Sequence, residues 1–183
     1  LNDKIIKDLS ESAKDFLEII YPKIKNQLGN GKLVPVQAVT ANRMATLLDQ
    51  YACIDAWYIE DDKGIRGIAS RVQYDVDYRT FTVRKSRVSG ARTEFDKLTF
   101  AIKKEWLYPF WVCQAYIARG HPKRLLSVAV CKTKDLVEYI SIGSELEDWH
   151  VRNVDRDGAA TFYVVDWDKF KTKYPLLTIF GDV

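Results

Sequence analysis

The sequence predicts an α/β (mixed α+β) protein in which a single mixed β-sheet is flanked by helices, with a core order α-β-β-β-α-β-β-α. Three observations predict it. Apolar residues recur at helical spacing from Ile5 to Ile20, through Leu9, Ala13, Phe16 and Leu17. Two strand-like stretches, 53–60 and 65–74, flank a tight Asp61-Asp62-Lys63-Gly64 turn. Phe110–Ile117 and Leu125–Cys131 are nearly continuous apolar runs, which suits strands buried on both faces.

The elements follow in order. Pro22 is expected to end or kink the first helix. Gly29-Asn30-Gly31 reads as a turn, and the extended piece Leu33–Val36 contains Pro35, which places it at a sheet edge. Thr40 suits the N-cap of a helix from about Ala41 to Tyr51. Thr80–Arg84 alternates β-branched and aromatic residues, so it completes a three-strand meander with 53–60 and 65–74. Thr93 caps a helix near 94–105, with Asp96 in the capping-box position. Parallel packing is expected mid-sheet, where that helix links strands. Thr133 caps a helix near 134–140, a turn falls at 155–158, a strand near 161–165, and a short helix starts about Asp166.

The 183 residues read as a single domain, 1–183. It divides into an N-terminal helical extension (1–37), a core (38–140) and a C-terminal strand and helix addition (141–183). No apolar run is long enough to cross a bilayer and the start shows no signal-peptide pattern, so a cytoplasmic location is expected. Cys53, Cys113 and Cys131 lie in apolar contexts with no zinc spacing, and read as buried free thiols. His121 and His150 are isolated, which leaves Ser–His–Asp and Cys–His chemistry without support. No glycine-rich phosphate loop is present.

The net charge of +3 is mild, but it is unevenly distributed. Arg79, Arg84, Lys85, Arg87 and Arg92 occur between 79 and 92 with no acid among them. Arg84, Lys85, Arg87 and Arg92 are the expected nucleic-acid contacts, neutralising backbone phosphates without reading bases. The start of the following helix offers N–H groups to the same anion. The plain alternative is a solvated basic face.

Asp55 is an acid in an apolar strand, which is costly to bury unless something pairs with it or binds it. Arg71 and Gln73 share one face of the next strand, within reach. The alternatives are a metal ligand with substrate contacts, or a structural ion pair between Asp55 and Arg71. Asp75 and Asp77 would share a face if their strand continued, but they precede a turn, where Asp is common. Trp106, Tyr108, Phe110 and Trp111 read as core and interface material, with base stacking as the functional alternative.

On element order, and on Ile54-Asp55 opening a hairpin followed by a charged strand, residues 38–140 resemble the PD-(D/E)XK, or restriction-endonuclease-like, nuclease superfamily. The resemblance implies a Mg²⁺-dependent phosphodiesterase acting on DNA. Asp55 would be a metal ligand, Asp49 or Glu18 would add a preceding acid, and the following strand would supply an acid and, two residues on, a lysine. That pair is absent as such. One register puts Arg71 at the lysine position and Ala69 at the acid; the other uses Gln73 and Arg71. The first keeps the positive charge.

The catalytic set so implied is Asp55 on the metal, Arg71 on the scissile phosphate and Gln73 assisting water or metal. Arg stays protonated and cannot act as a base. Glu94 and Lys97 read as an ordinary helix-surface pair, or as the displaced acid and lysine of some superfamily members. The missing acid keeps open a catalytically inactive nuclease fold, working as a DNA-binding or protein-interaction module. Homodimerisation is a further implication of the resemblance.

Overall fold

The computed structural model describes residues 11–36, 51–60, 64–144, 151–152 and 160–181. The start of the first helix, nearly all of the Thr40–Tyr51 helix, the turn at 61–63, His150 and the turn at 155–158 lie outside the described residues.

The first helix is continuous from residue 11 to Leu28. Pro22 does not end it. A π-helical turn, Phe16–Ile20, widens the backbone just before the proline, which then sits in the first turn of α1, Tyr21–Leu28. A wider turn accommodates a residue that lacks an N–H and crowds the preceding carbonyl. Phe16, Ile20, Ile24 and Leu28 recur every fourth residue and are all buried. Each contributes about 1.5–3 kcal/mol of apolar burial.

These side chains cover one face of a six-stranded sheet. Its strands are β1 (Lys32–Pro35), β2 (Ala56–Glu60), β3 (Gly64–Tyr74), β5 (Pro109–Ala118), β6 (Arg124–Lys132) and β9 (Leu177–Phe180), in the order β1-β2-β3-β5-β6-β9. β3 and β5 are parallel and every other neighbouring pair is antiparallel. The mixed sheet, its central parallel pair and the edge position of the Pro35 strand are as expected. Gly31 lets the turn before β1 lie against Tyr58: a Cβ there would stand 2.6 Å from the ring. The Gly31 N–H donates to the Tyr58 hydroxyl at 2.6 Å.

Two expectations fail. The sheet is not single, and the 80–84 strand does not extend the 53–74 hairpin. β4 (Thr80–Arg87) belongs to a second sheet, with order β4-β8-β7, alongside β7 (Val151–Arg152) and β8 (Ala160–Asp166). The meander is instead β1-β2-β3. Asp75 and Arg79, at φ 59° and 51°, turn the chain out of the first sheet, and β5 takes the place beside β3.

The second sheet packs on the other face of the first, together with α3 (Thr133–Ser144) and α4 (Trp167–Lys171). Phe81, Val83, Tyr163, Val165, Trp167 and Phe170 form that layer. α2 (Glu94–Lys103) carries the expected Thr93–Asp96 capping box. Thr133 opens α3 rather than capping it, and its buried hydroxyl has no hydrogen-bond partner among the described residues.

An ionic clasp fixes the first helix to the ends of the central strands. Asp15, 3% exposed, accepts from the Tyr74 hydroxyl at 2.7 Å and from Lys123 Nζ at 2.8 Å. Lys123 also donates to Glu11 at 2.7 Å. Burial, then the bond to Asp15, pushes the Tyr74 phenol up. The carboxylates of Asp15 and Glu11 hold the Lys123 ammonium up as well.

Both groups keep their protons in the native state at a pH where the unfolded chain releases them. Stability should therefore fall as pH rises past a tyrosine's ordinary 10.0. Urea melts between about pH 8 and about pH 11 should show this decline. Tyr74→Phe should make it shallower while lowering neutral-pH stability by about 1 kcal/mol.

Candidate functional site

Asp55 is exposed, just before β2 begins, and so is not the buried acid that its apolar neighbours suggest. Its N–H donates to the Ile68 carbonyl at 2.9 Å, continuing the ladder one residue past the β2–β3 pairing. Its Oδ2 then accepts the Ser70 N–H at 2.6 Å. The carboxylate thus replaces the main-chain carbonyl that a longer β2 would have offered, and satisfies the edge of β3 where its antiparallel partner stops.

Arg71 does not pair with Asp55 in an ion pair. Its Nη2 donates to Glu94 Oε2 in the first turn of α2, and its Nη1 reaches Thr82 Oγ1 at 3.4 Å. Glu94 Oε2 also lies 3.3 Å from the Arg84 N–H of β4. Glu94 is therefore not an ordinary surface partner of Lys97. It joins β3, β4 and α2 at one carboxylate oxygen.

Around this point lies a polar seam between the sheets. Thr82 Oγ1 donates to Gln114 Oε1 at 3.3 Å, and Tyr116 donates to the Thr80 carbonyl at 2.8 Å. Gln114 is 1% exposed and its Nε2 has no partner among the described residues. Gln114 lies opposite Arg71 in the parallel ladder, and Gln73 opposite Tyr116. Phe162, the cross-strand partner of Arg84, carries the Arg84 guanidinium 5.4 Å from its ring centre and that of Arg71 at 6.0 Å. Of these participants, Thr82, Gln114 and Phe162 escaped the sequence reading. Gln114 left a signal: it is the one amide side chain in the otherwise apolar and aromatic Phe110–Ile117 run.

The expected phosphate contacts separate into two groups. Arg84 is half-buried and belongs to the Glu94–Phe162 cluster. Lys85, Arg87 and Arg92 are exposed. Lys85 sits at a β-bulge between Arg84 and Ser86, its Nζ 5.3 Å from the centre of the Tyr163 ring. Bulges redirect side chains out of the regular alternation.

The start of α2 is a poor anion site. Its N-terminal amides answer to Thr93 and Asp96, and its first turn carries Glu94 and Asp96.

Asp75 and Asp77 are turn residues. Asp75 accepts the Arg119 N–H at 2.8 Å, and Asp77 accepts from Ser127 at 2.5 Å. Glu18 is exposed on the π-helical turn, and Asp49 lies outside the described residues. Burial pushes the free Cys113 and Cys131 thiols up, in keeping with inert core cysteines; Cys53 is only half-buried.

A magnesium ion requires near-octahedral oxygen ligands, with one or two well-placed carboxylates. Among the described residues no three His, Cys, Asp or Glu side chains are placed to hold a metal. Asp55 is engaged by Ser70 and Glu94 by Arg71, so the described residues do not fit the ion. A separate cleft of about 700 Å³ opens beside Trp111, Lys132, Lys171, Lys173 and Tyr174. No helix among the described residues is long and apolar enough to cross a membrane.

The chain matches no family model, no curated protein and no solved structure.

Glu94→Ala should lower stability by about 2–3 kcal/mol, because it strands Arg71 and an edge N–H of β4. Asp55→Asn keeps an acceptor for Ser70 and should cost under about 0.5 kcal/mol, whereas Asp55→Ala should cost about 1 kcal/mol. Denaturant melts rank the three, and a loss for Asp55→Asn equal to that for Asp55→Ala would contradict the ladder role.

Proposed function

We propose that this is a nucleic-acid-binding protein of nuclease-like, PD-(D/E)XK-type build, which grips the DNA backbone through β4 and the turn after it. The observation that carries the reading is the exposed cation series Lys85 and Arg87, on a strand that is the outer member of its sheet, and Arg92 in the segment that follows it. Lysine and arginine on an edge strand also discourage strand pairing with another chain. Here the series runs on past the strand into the turn, to Arg92, beyond what guarding an edge requires.

Its function is binding rather than cleavage, because the two groups central to hydrolysis serve structural partners: Asp55 completes a ladder and Arg71 answers Glu94. Metal-dependent hydrolysis keeps one observation in its favour, an exposed Asp55 bonded to the residue beside Arg71.

Fluorescence anisotropy with labelled DNA tests the reading. The wild type should bind, and log K should fall linearly with log salt. The variant Lys85→Gln/Arg87→Gln/Arg92→Gln should bind at least about tenfold more weakly at low salt, with a slope shallower by roughly 2–3. An unchanged slope would reject these three residues as phosphate contacts. With Mg²⁺ or Mn²⁺ added, the wild type should leave the DNA intact; cutting that is lost in Asp55→Ala would establish the hydrolytic alternative.

A further inference from the structure

The end of α2 presents an aromatic surface that the backbone-binding reading does not use. Lys104 closes the helix, and Glu105 turns left-handed at φ 55°. The Glu105 N–H then donates to the Ile102 carbonyl at 3.3 Å, and the Trp106 N–H to the Ala101 carbonyl at 2.8 Å. This pair of bonds is a Schellman closure, and it normally brings an apolar residue back against the last turn. Trp106 fills that role: its ring stands nearly perpendicular to that of Phe100, ring centres 5.2 Å apart.

That contact leaves much of Trp106 open to solvent. Trp106 is 63% exposed and the adjacent Leu107 53% exposed. Tryptophan is highly buried on average, so an exposed one at a helix terminus exceeds what the closure needs.

Charge identifies the occupant. The Arg92 guanidinium stands 4.9 Å from the centre of the Phe100 ring, so Arg92, Phe100 and Trp106 form one contiguous cluster. Arg92 is the last of the cations assigned to phosphate. Lys103 and Lys104 are exposed on the same helix end, against the one exposed acid, Glu105. A flat apolar ring bordered by cations fits a nucleobase whose own phosphates lie on the arginine and the lysines. A base inside a duplex has both faces covered by its neighbours and cannot use such a ring.

From this surface, we propose that Trp106 is a stacking platform for an unpaired base, so that the protein prefers single-stranded or frayed DNA over blunt duplex. The inference rests on the backbone-binding reading and adds a substrate class to it.

The test compares a labelled single-stranded oligonucleotide with a blunt duplex of the same sequence, by anisotropy at fixed salt. Trp106→Ala should weaken single-strand binding by roughly 5- to 150-fold and leave duplex affinity and both salt slopes unchanged. Trp106→Phe, which retains a stacking face, should recover most of the loss. If Trp106→Ala binds single strands as the wild type does, while the Lys85/Arg87/Arg92 variant still loses affinity, this inference fails alone and the ring is free to serve a protein partner. If the wild type binds neither probe, both readings fail.

Discussion

One carboxylate oxygen holds the two halves of this fold together. Glu94 Oε2 takes the Arg71 guanidinium from the six-stranded sheet and faces the Arg84 N–H of the second sheet, from the first turn of α2. Three elements therefore share one electrostatic partner in a half-buried seam. In such surroundings removal of the carboxylate leaves both an unpaired guanidinium and an unanswered edge N–H, which costs more than the pair itself contributes. The geometry also aims β4. Thr80 and Thr82 bond down to Tyr116 and Gln114, and Phe81 and Val83 face the α4 layer, so the exposed Lys85, Arg87 and Arg92 fall where the strand runs out beyond the seam.

Much of the architecture was legible in the sequence, because it follows from local rules. The helical recurrence up to Phe16 and Ile20, the Thr93–Asp96 box and the continuous apolar run of β5 each fix an element without reference to distant residues, whereas the continuation to Ile24 and Leu28 was hidden behind Pro22. The strand Thr80–Arg87 was legible as a strand but not in its partnership. Its alternation fits any half-buried sheet, and the choice of β8 over β3 depends on left-handed residues at Asp75 and Arg79, neither of which is a glycine.

The site was read less well for a related reason. Ion pairs form between residues far apart in sequence, and spacing carries no information about them. Arg71, expected to meet Asp55, pairs instead with an acid 23 residues away. Asp55, whose type and surroundings suggested a ligand, spends a carboxylate oxygen on a main-chain amide. The engagement of Asp55 by the Ser70 amide and of Arg71 by Glu94 is the reason the proposed reading is binding rather than cleavage. For the proposed binding role, the exposed Lys85, Arg87 and Arg92 would supply charge for phosphates and the exposed Trp106 an aromatic surface for a base.

Hydrogen exchange with and without a single-stranded oligonucleotide tests this account most directly, because it locates the bound surface without altering a residue. Added DNA should slow exchange in the segment from Arg84 to Leu107, where β4, its turn and both ends of α2 lie. Unchanged exchange there, with protection instead around Lys132 and between Lys171 and Leu177, would place the DNA in the lysine-lined cleft and contradict the account.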